Sequence, residues 1–243
     1  MKTSSKIFVA TLLLLLGSLT AYNMALRHEF RQGTYKDPLH NYTTLALRDF
    51  EAVTVPSASG LKVKIMAGPF AVRVNKEAAD FVRVTQCGRQ LLVTLNYPQE
   101  PQYLGRQEAV VISCPRLAAL TTEGTYTVAG QPPLTQLQTG GTVLVLGFRQ
   151  DSLTLHQNRS SQIRLEGNTL SWLRAVAGTR SGSGPELQIG SDNRIQAADL
   201  TIGHQGRLDL ATAIPHLRQQ FSDSATVTFS GAAVRGLSAR GAE

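Results

Sequence analysis

Apolar residues in this chain come in short runs divided by small-residue turns, and from Phe50 onward they alternate with polar ones. Val53 and Val55 alternate with polar neighbours, and Pro56-Ser57-Ala58-Ser59-Gly60 turns the chain. Leu61, Val63 and Ile65 then alternate with Lys62 and Lys64. A period of two with charge on one face predicts half-buried strands. The same grammar predicts strands at 72–74, 81–85 and 91–95, and a more fully apolar one at 109–113 that ends at Pro115. Helix-period segments are nearly absent after residue 27.

Between Leu117 and Leu217 one phrase recurs: a leucine-led run, a Gly/Ser/Asn corner, another apolar run. Leu117, Leu134, Leu153, Leu170, Leu187, Leu200 and Leu217 are separated by 17, 19, 17, 17, 13 and 17 residues. Such a period is too short for helical-hairpin repeats or propeller blades. It predicts coils of short strands that stack on one another, none with a core of its own. The expected fold is all-β, a parallel β-helix-like solenoid preceded by an N-terminal hydrophobic helix. Leu137, Leu144, Leu155, Ile163, Leu165, Leu187, Ile189, Leu200, Ile202, Leu208 and Leu210 should point inward, with Arg164 and Arg194 on the wet face.

The N-terminal segment sets the compartment. From Ile7 to Leu26 no side chain is charged, Leu12 to Leu16 are consecutive leucines, and Lys2 and Lys6 precede them. A basic start and an apolar run make an export signal, and 20 helical residues span roughly 30 Å, enough to cross a bilayer. Ser18-Leu19-Thr20 and Leu19-Thr20-Ala21 are poor cleavage sites, which favours an uncleaved signal-anchor over a cleaved signal. The expected division is 1–26 signal-anchor or signal peptide, 27–48 polar tether and 49–243 β head domain, placed in the cell envelope.

Charge changes this picture little. From Arg27 onward, 22 basic residues face 17 acidic ones, which leaves +5, and the arginines stand singly in different strands. Nucleic-acid binders concentrate charge or interleave it with stacking aromatics, so no nucleic-acid partner is expected. Arginines aligned down one face would instead suit an anionic polymer such as an envelope glycan. Cys87 and Cys114 lie in separate strand-like runs that could be neighbours; whether they pair is left open.

A resemblance adds a family. The opening Phe50-Glu51-Ala52-Val53-Thr54-Val55 is followed by strands around a Gly-marked turn, Lys64-Ile65-Met66-Ala67-Gly68 and Ala71-Val72-Arg73-Val74. A strand then ends in Pro-x-Leu, at Val111-Ile112-Ser113-Cys114-Pro115-Arg116-Leu117, and Gly-Ser-type corners follow. In these features the chain resembles the auto-transporter adhesin, head GIN domain family of bacterial envelope proteins, over about 50–235. Gly124-Thr125, Gly141-Thr142 and Asn158-Arg159 depart from the family's cleaner corners. The resemblance implies an envelope β-solenoid without established catalysis.

Catalytic and metal motifs are missing. His28, His40, His156, His204 and His216 have no metal-ligand spacing, and neither a Gly-x-Ser-x-Gly elbow nor a phosphate-binding loop occurs. No catalytic, cofactor-binding or metal residue is assigned, no cofactor is expected, and the ligand-binding residues stay unknown. The expected function is a non-enzymatic, adhesin-like scaffold that binds a glycan or protein. The alternative is a glycan-cleaving enzyme on the same scaffold, which needs two of Asp192, Asp199, Asp209 and Asp223 within about 5 to 10 Å of each other. Trp172, the sole tryptophan, reads as a plug in the core in preference to a sugar platform.

Overall fold

The computed structural model describes residues 3–33, 39–100, 104–105, 107–131, 140–180, 182 and 184–235. The chain divides into two units, residues 1–42 and 43–243. The first holds helix α1 (Thr3–Gln32), which runs six residues past the expected end of the apolar stretch. From Lys6 to Arg31 it is long and apolar enough to cross a membrane. Its hydroxyl side chains do not interrupt it. Thr11 donates to the Ile7 carbonyl, Ser18 to Leu15 and Thr20 to Leu16, so each polar group is satisfied within the helix.

The second unit is almost entirely β. Its first strands are β1 (Tyr42–Leu45), β2 (Ala52–Val55), β3 (Lys62–Ala67), β4 (Ala71–Asn75), β5 (Val82–Cys87) and β6 (Gln90–Tyr97). There follow β7 (Val110–Cys114), β8 (Ala119–Thr122), β9 (Thr127–Val128), β10 (Thr142–Leu146), β11 (Arg149–Gln157) and β12 (Gln162–Glu166). The last are β13 (Thr169–Ala177), β14 (Glu186–Ile189), β15 (Arg194–Ile202), β16 (Arg207–Leu210), β17 (His216–Phe221) and β18 (Thr226–Phe229). β1 lies inside the segment expected to be a tether.

These strands form two mixed sheets, neither closed into a barrel. The first has the order β1-β4-β7-β3-β10-β12-β14-β16-β18, and the second β17-β15-β13-β11-β8-β2-β6-β5, with β9 on β6. From β10 onward the chain passes from one sheet to the other at every turn, and each strand pairs in parallel with the next of its own sheet. The first 120 residues are less regular. β2 and β3 end in mid-sheet, β4 runs antiparallel to β7, and β5 and β6 form an antiparallel hairpin.

Register stacks like on like within each sheet. In the first sheet Val63, Val143, Ile163, Leu187, Leu208 and Val227 are successive partners. In the second the row is Leu91, Val53, Leu120, Leu155, Ala175 and Leu200. All of these except Val227 are buried and join one continuous core. The leucine spacing therefore mixed two series. Leu153 pairs with Leu173, Ala198 and Leu217 in the second sheet, whereas Leu187 belongs to the first. Within each sheet from β10 onward, partners lie 19 to 25 residues apart, as Leu208↔Val227 and Leu173↔Ala198 show.

Nine of the eleven expected core residues are buried. Leu137, with Leu134, falls outside the described residues. Leu144 is a correction: it shares the outward row of Lys64 and Arg164, while Val143 and Val145 fill the core. The run Val143-Leu144-Val145-Leu146 has no polar residue to mark its phase, so only the neighbouring strands decide it.

Buried asparagines hold the corners that lead from the first sheet to the second. Asn168 follows Gly167, whose φ of +60° suits glycine, and is fully buried. Its Nδ2 donates to the Val145 carbonyl and to Asn193 Oδ1, both at 3.0 Å, and its Oδ1 accepts the Phe148 N–H at 3.0 Å. Asn193, one turn on, donates to the Leu165 carbonyl at 2.7 Å. Each asparagine thus satisfies backbone groups of the preceding turn that bending the chain would leave unpaired. On the opposite side a Cβ at Gly203 would lie 2.3 Å from the Gly178 carbonyl oxygen, so the two turns meet without room for a side chain.

Candidate functional site

The outer face of the second sheet carries the most distinctive surface. β11, β13 and β15 are nine residues each, and their alternation breaks at the same point. Asp151-Ser152, Ser171-Trp172 and Gln196-Ala197 are consecutive pairs with both residues at least partly exposed. Burial then resumes at Leu153, Leu173 and Ala198. Two outward residues in succession require the strand to bend around a corner, and Trp172 stands on the outside of that bend. It is 41% exposed, so it does not plug the core as its size suggested.

Register places Ser152, Trp172, Ala197 and His216 in one row across four strands. Ala197, the smallest of the four, lies between the two rings. The result is an open recess of about 580 Å³ lined by Trp172, Ala197, His216, Leu217 and Arg218. The next outward row is Thr154, Arg174, Asp199 and Arg218, and a further row pairs Arg149, Thr169 and Arg194. Four arginines thus share this face with two carboxylates, Asp151 and Asp199. The ion pairs Arg89–Glu51, Arg164–Glu166 at 2.6 Å and Arg180–Glu123 at 3.5 Å involve none of those four.

A second, larger opening of about 770 Å³ lies beside the β5–β6 hairpin, lined among others by Asp80, Phe81, Arg83, Asn96 and Tyr126. Two of its lining rings, Phe81 and Tyr126, pack against the buried Tyr97. The Tyr97 ring centroid lies 5.6 Å from Phe81 and 5.9 Å from Tyr126. Burial, and then the neighbouring Tyr126, push the Tyr97 hydroxyl above its ordinary pKa. Thr127 donates to Asn96 Oδ1 at 2.7 Å and braces the rim.

The four aspartates of the enzymatic alternative are dispersed. Asp199 faces outward on the second sheet, and Asp209 outward on the first, with the core between them. Asp192 is exposed at the turn from β14 to β15. Asp223 is exposed at the turn from β17 to β18, where the chain crosses back. The four therefore occupy four different sides, and no acid–base or nucleophile pair forms among them. No group of three or more His, Cys, Asp and Glu able to hold a metal occurs among the described residues.

The cysteines are not neighbours. Cys87 is on β5 of the second sheet and exposed, Cys114 on β7 of the first and buried, and both are free. Burial pushes the Cys114 thiol up to about 12, against a small opposing effect of its hydrogen bond with the Arg116 backbone.

No protein-family model and no curated protein matches the chain. Among solved structures it is similar to a candidate adhesin from Bacteroides fragilis, with a TM-score of 0.51 and 9% identity, over 79% of this chain and 93% of that one. A candidate adhesin from Parabacteroides distasonis overlaps with a TM-score of 0.36 at 9% identity, over 79% of this chain and 94% of that one. A candidate lipid-binding protein from the same species overlaps at 0.27 and 12%, over 78% and 94%. At such identities the first likeness bears on fold alone, and the weaker two carry no argument.

Proposed function

We propose that this chain is an exported, non-enzymatic protein of the cell envelope whose head is a β-solenoid with an adhesin-like binding role. In this reading residues 1–26 are a signal-anchor or signal peptide, 27–48 lead to the head, and 49–243 form it. The solenoid reading is supported by parallel rows such as Ile163–Leu187–Leu208 in one sheet and Leu155–Ala175–Leu200 in the other. Each turn of chain would close its core only against its neighbours. The likeness to the Bacteroides fragilis structure and the resemblance to head GIN domain proteins agree with it.

One observation carries the binding reading: the face around Trp172 is open, aromatic and cationic, while Asp192, Asp199, Asp209 and Asp223 are spread over four sides of the head. Such a face can hold a ligand, and those four aspartates do not converge on it as a cleaving pair. The first test is location. Full-length protein expressed in a bacterium should sediment with membranes, and protease added to spheroplasts should cut the 27–48 segment and release a resistant head. Recovery of the full-length chain in the soluble cytoplasmic fraction would overturn the proposal.

A further inference from the structure

We propose that the outer face of β11, β13, β15 and β17 binds a carboxylated polysaccharide, with the recess between Trp172 and His216 seating a sugar ring and Arg174 and Arg218 engaging its acid groups. This rests on the reading that the head is an exposed binding domain.

Geometry comes first. Neighbouring strands lie about 4.8 Å apart, so Trp172 and His216, two strands apart with only Ala197 between, are separated by about 9.5 Å. That gap admits a ring-sized group between two planar side chains. The arginines keep the same interval: Arg174 and Arg218 are two strands apart, as are Arg149 and Arg194. A polymer with a repeat of about two sugars, running across the strands along the row of Arg174, Asp199 and Arg218, meets one arginine of that row per repeat, with Asp199 between.

Charge and composition choose among partners. Four arginines against two aspartates give the face a positive balance, and guanidinium forks match carboxylate geometry. A protein partner is a poorer fit. Interface cores are rich in large apolar side chains. Among the described residues of the β unit, Trp172 and Val234 alone are exposed large hydrophobics. Single-stranded nucleic acid calls for a succession of stacking aromatics, and this face has one tryptophan.

The chain itself supplies the probe, because Trp172 is its only tryptophan and its emission reports this face alone. Full-length protein in non-ionic detergent is titrated with polygalacturonate, with alginate, and with fully methyl-esterified polygalacturonate, whose charge is removed. The proposal expects a saturable change in Trp172 emission with at least one carboxylated polymer, none with the ester, and weakening as salt is raised. The double variant Arg174→Gln/Arg218→Gln should weaken binding tenfold or more with an unchanged circular dichroism spectrum. Arg164→Gln, on the opposite sheet, should bind as the parent does.

The proposal is overturned if neither carboxylated polymer changes the emission saturably, if the ester binds equally, or if Arg164→Gln weakens binding as much as the double variant. Should the emission stay silent while the protein still sediments with membranes and protease releases its head from spheroplasts, the glycan fails and the envelope reading stands.

Discussion

Replacing Asn168 by alanine isolates what a corner asparagine contributes. The substitution removes two bonds donated by Nδ2, to Val145 O and Asn193 Oδ1, and one accepted by Oδ1 from the Phe148 N–H. Each such bond contributes about 1 kcal/mol net, but leaving a buried donor such as the Phe148 N–H unpaired costs about 1 to 3 kcal/mol. Because alanine also leaves space that the neighbours only partly close, the expected loss is about 3 to 5 kcal/mol. Against a total stability of about 5 to 15 kcal/mol that is a large share. For a unit of this size, at about 2 to 4 °C per kcal/mol, the melting temperature should fall by roughly 6 to 20 °C. Asn158→Ala is the matched control. Its Oδ1 accepts from Thr179 N–H at 2.8 Å and Thr179 Oγ1 at 2.9 Å, but in an exposed turn where water replaces the lost partner. It should cost about 1 kcal/mol or less. Thermal melts by circular dichroism decide the matter. Equal losses for the two variants would refute the claim that buried amides hold the turn from the first sheet to the second.

Four further outcomes are expected. Leu155→Asp buries an unpaired carboxylate in the second sheet and should cost several kcal/mol, whereas Arg164→Asp, which loses only a partly exposed ion pair with Glu166, should cost about 1 kcal/mol; chemical denaturation measures both. Gly203→Ala would set a Cβ 2.3 Å from the Gly178 carbonyl oxygen and should lower the melting temperature clearly. Gly140→Ala, with nothing within 4 Å, should be neutral. At pH 8 a thiol reagent should label one cysteine of the folded protein, Cys87, and both after denaturation. Cys114 binds its proton more tightly when folded, so stability should fall as pH rises from about 9 toward 12 and be unaffected below that window. A Cys114→Ala variant that keeps the full alkaline loss would show that the thiol is not its source.

Strand positions were legible wherever polar residues marked the phase. Arg164 between Ile163 and Leu165, and Gln188 between Leu187 and Ile189, fix which side is wet, and all four apolar residues are buried. Where the marker was missing, as around Leu144, the local pattern gave no answer. Trp172 was misjudged for another reason. A strict period of two places Leu170 and Trp172 on the same side, and only the bend at Ser171-Trp172 separates them. The corner asparagines were hidden because a buried Asn and a solvated turn Asn look alike in sequence; a glycine one residue before Asn168 (Gly167) and three before Asn193 (Gly190) was the signal available. The order of the first strands was beyond local reading, since β2 pairs with β6 and β8, and β3 with β7 and β10, all through contacts remote along the chain.

The central claim is that the head binds an envelope ligand and leaves it intact. The most direct measurement incubates full-length protein in detergent with purified cell-envelope polysaccharide, then records both co-sedimentation and the number of reducing ends. Retention of polysaccharide with no rise in reducing ends over prolonged incubation is the expected result. A steady release of reducing ends would contradict the account, because it would require a pair of catalytic groups that the dispersed aspartates do not form.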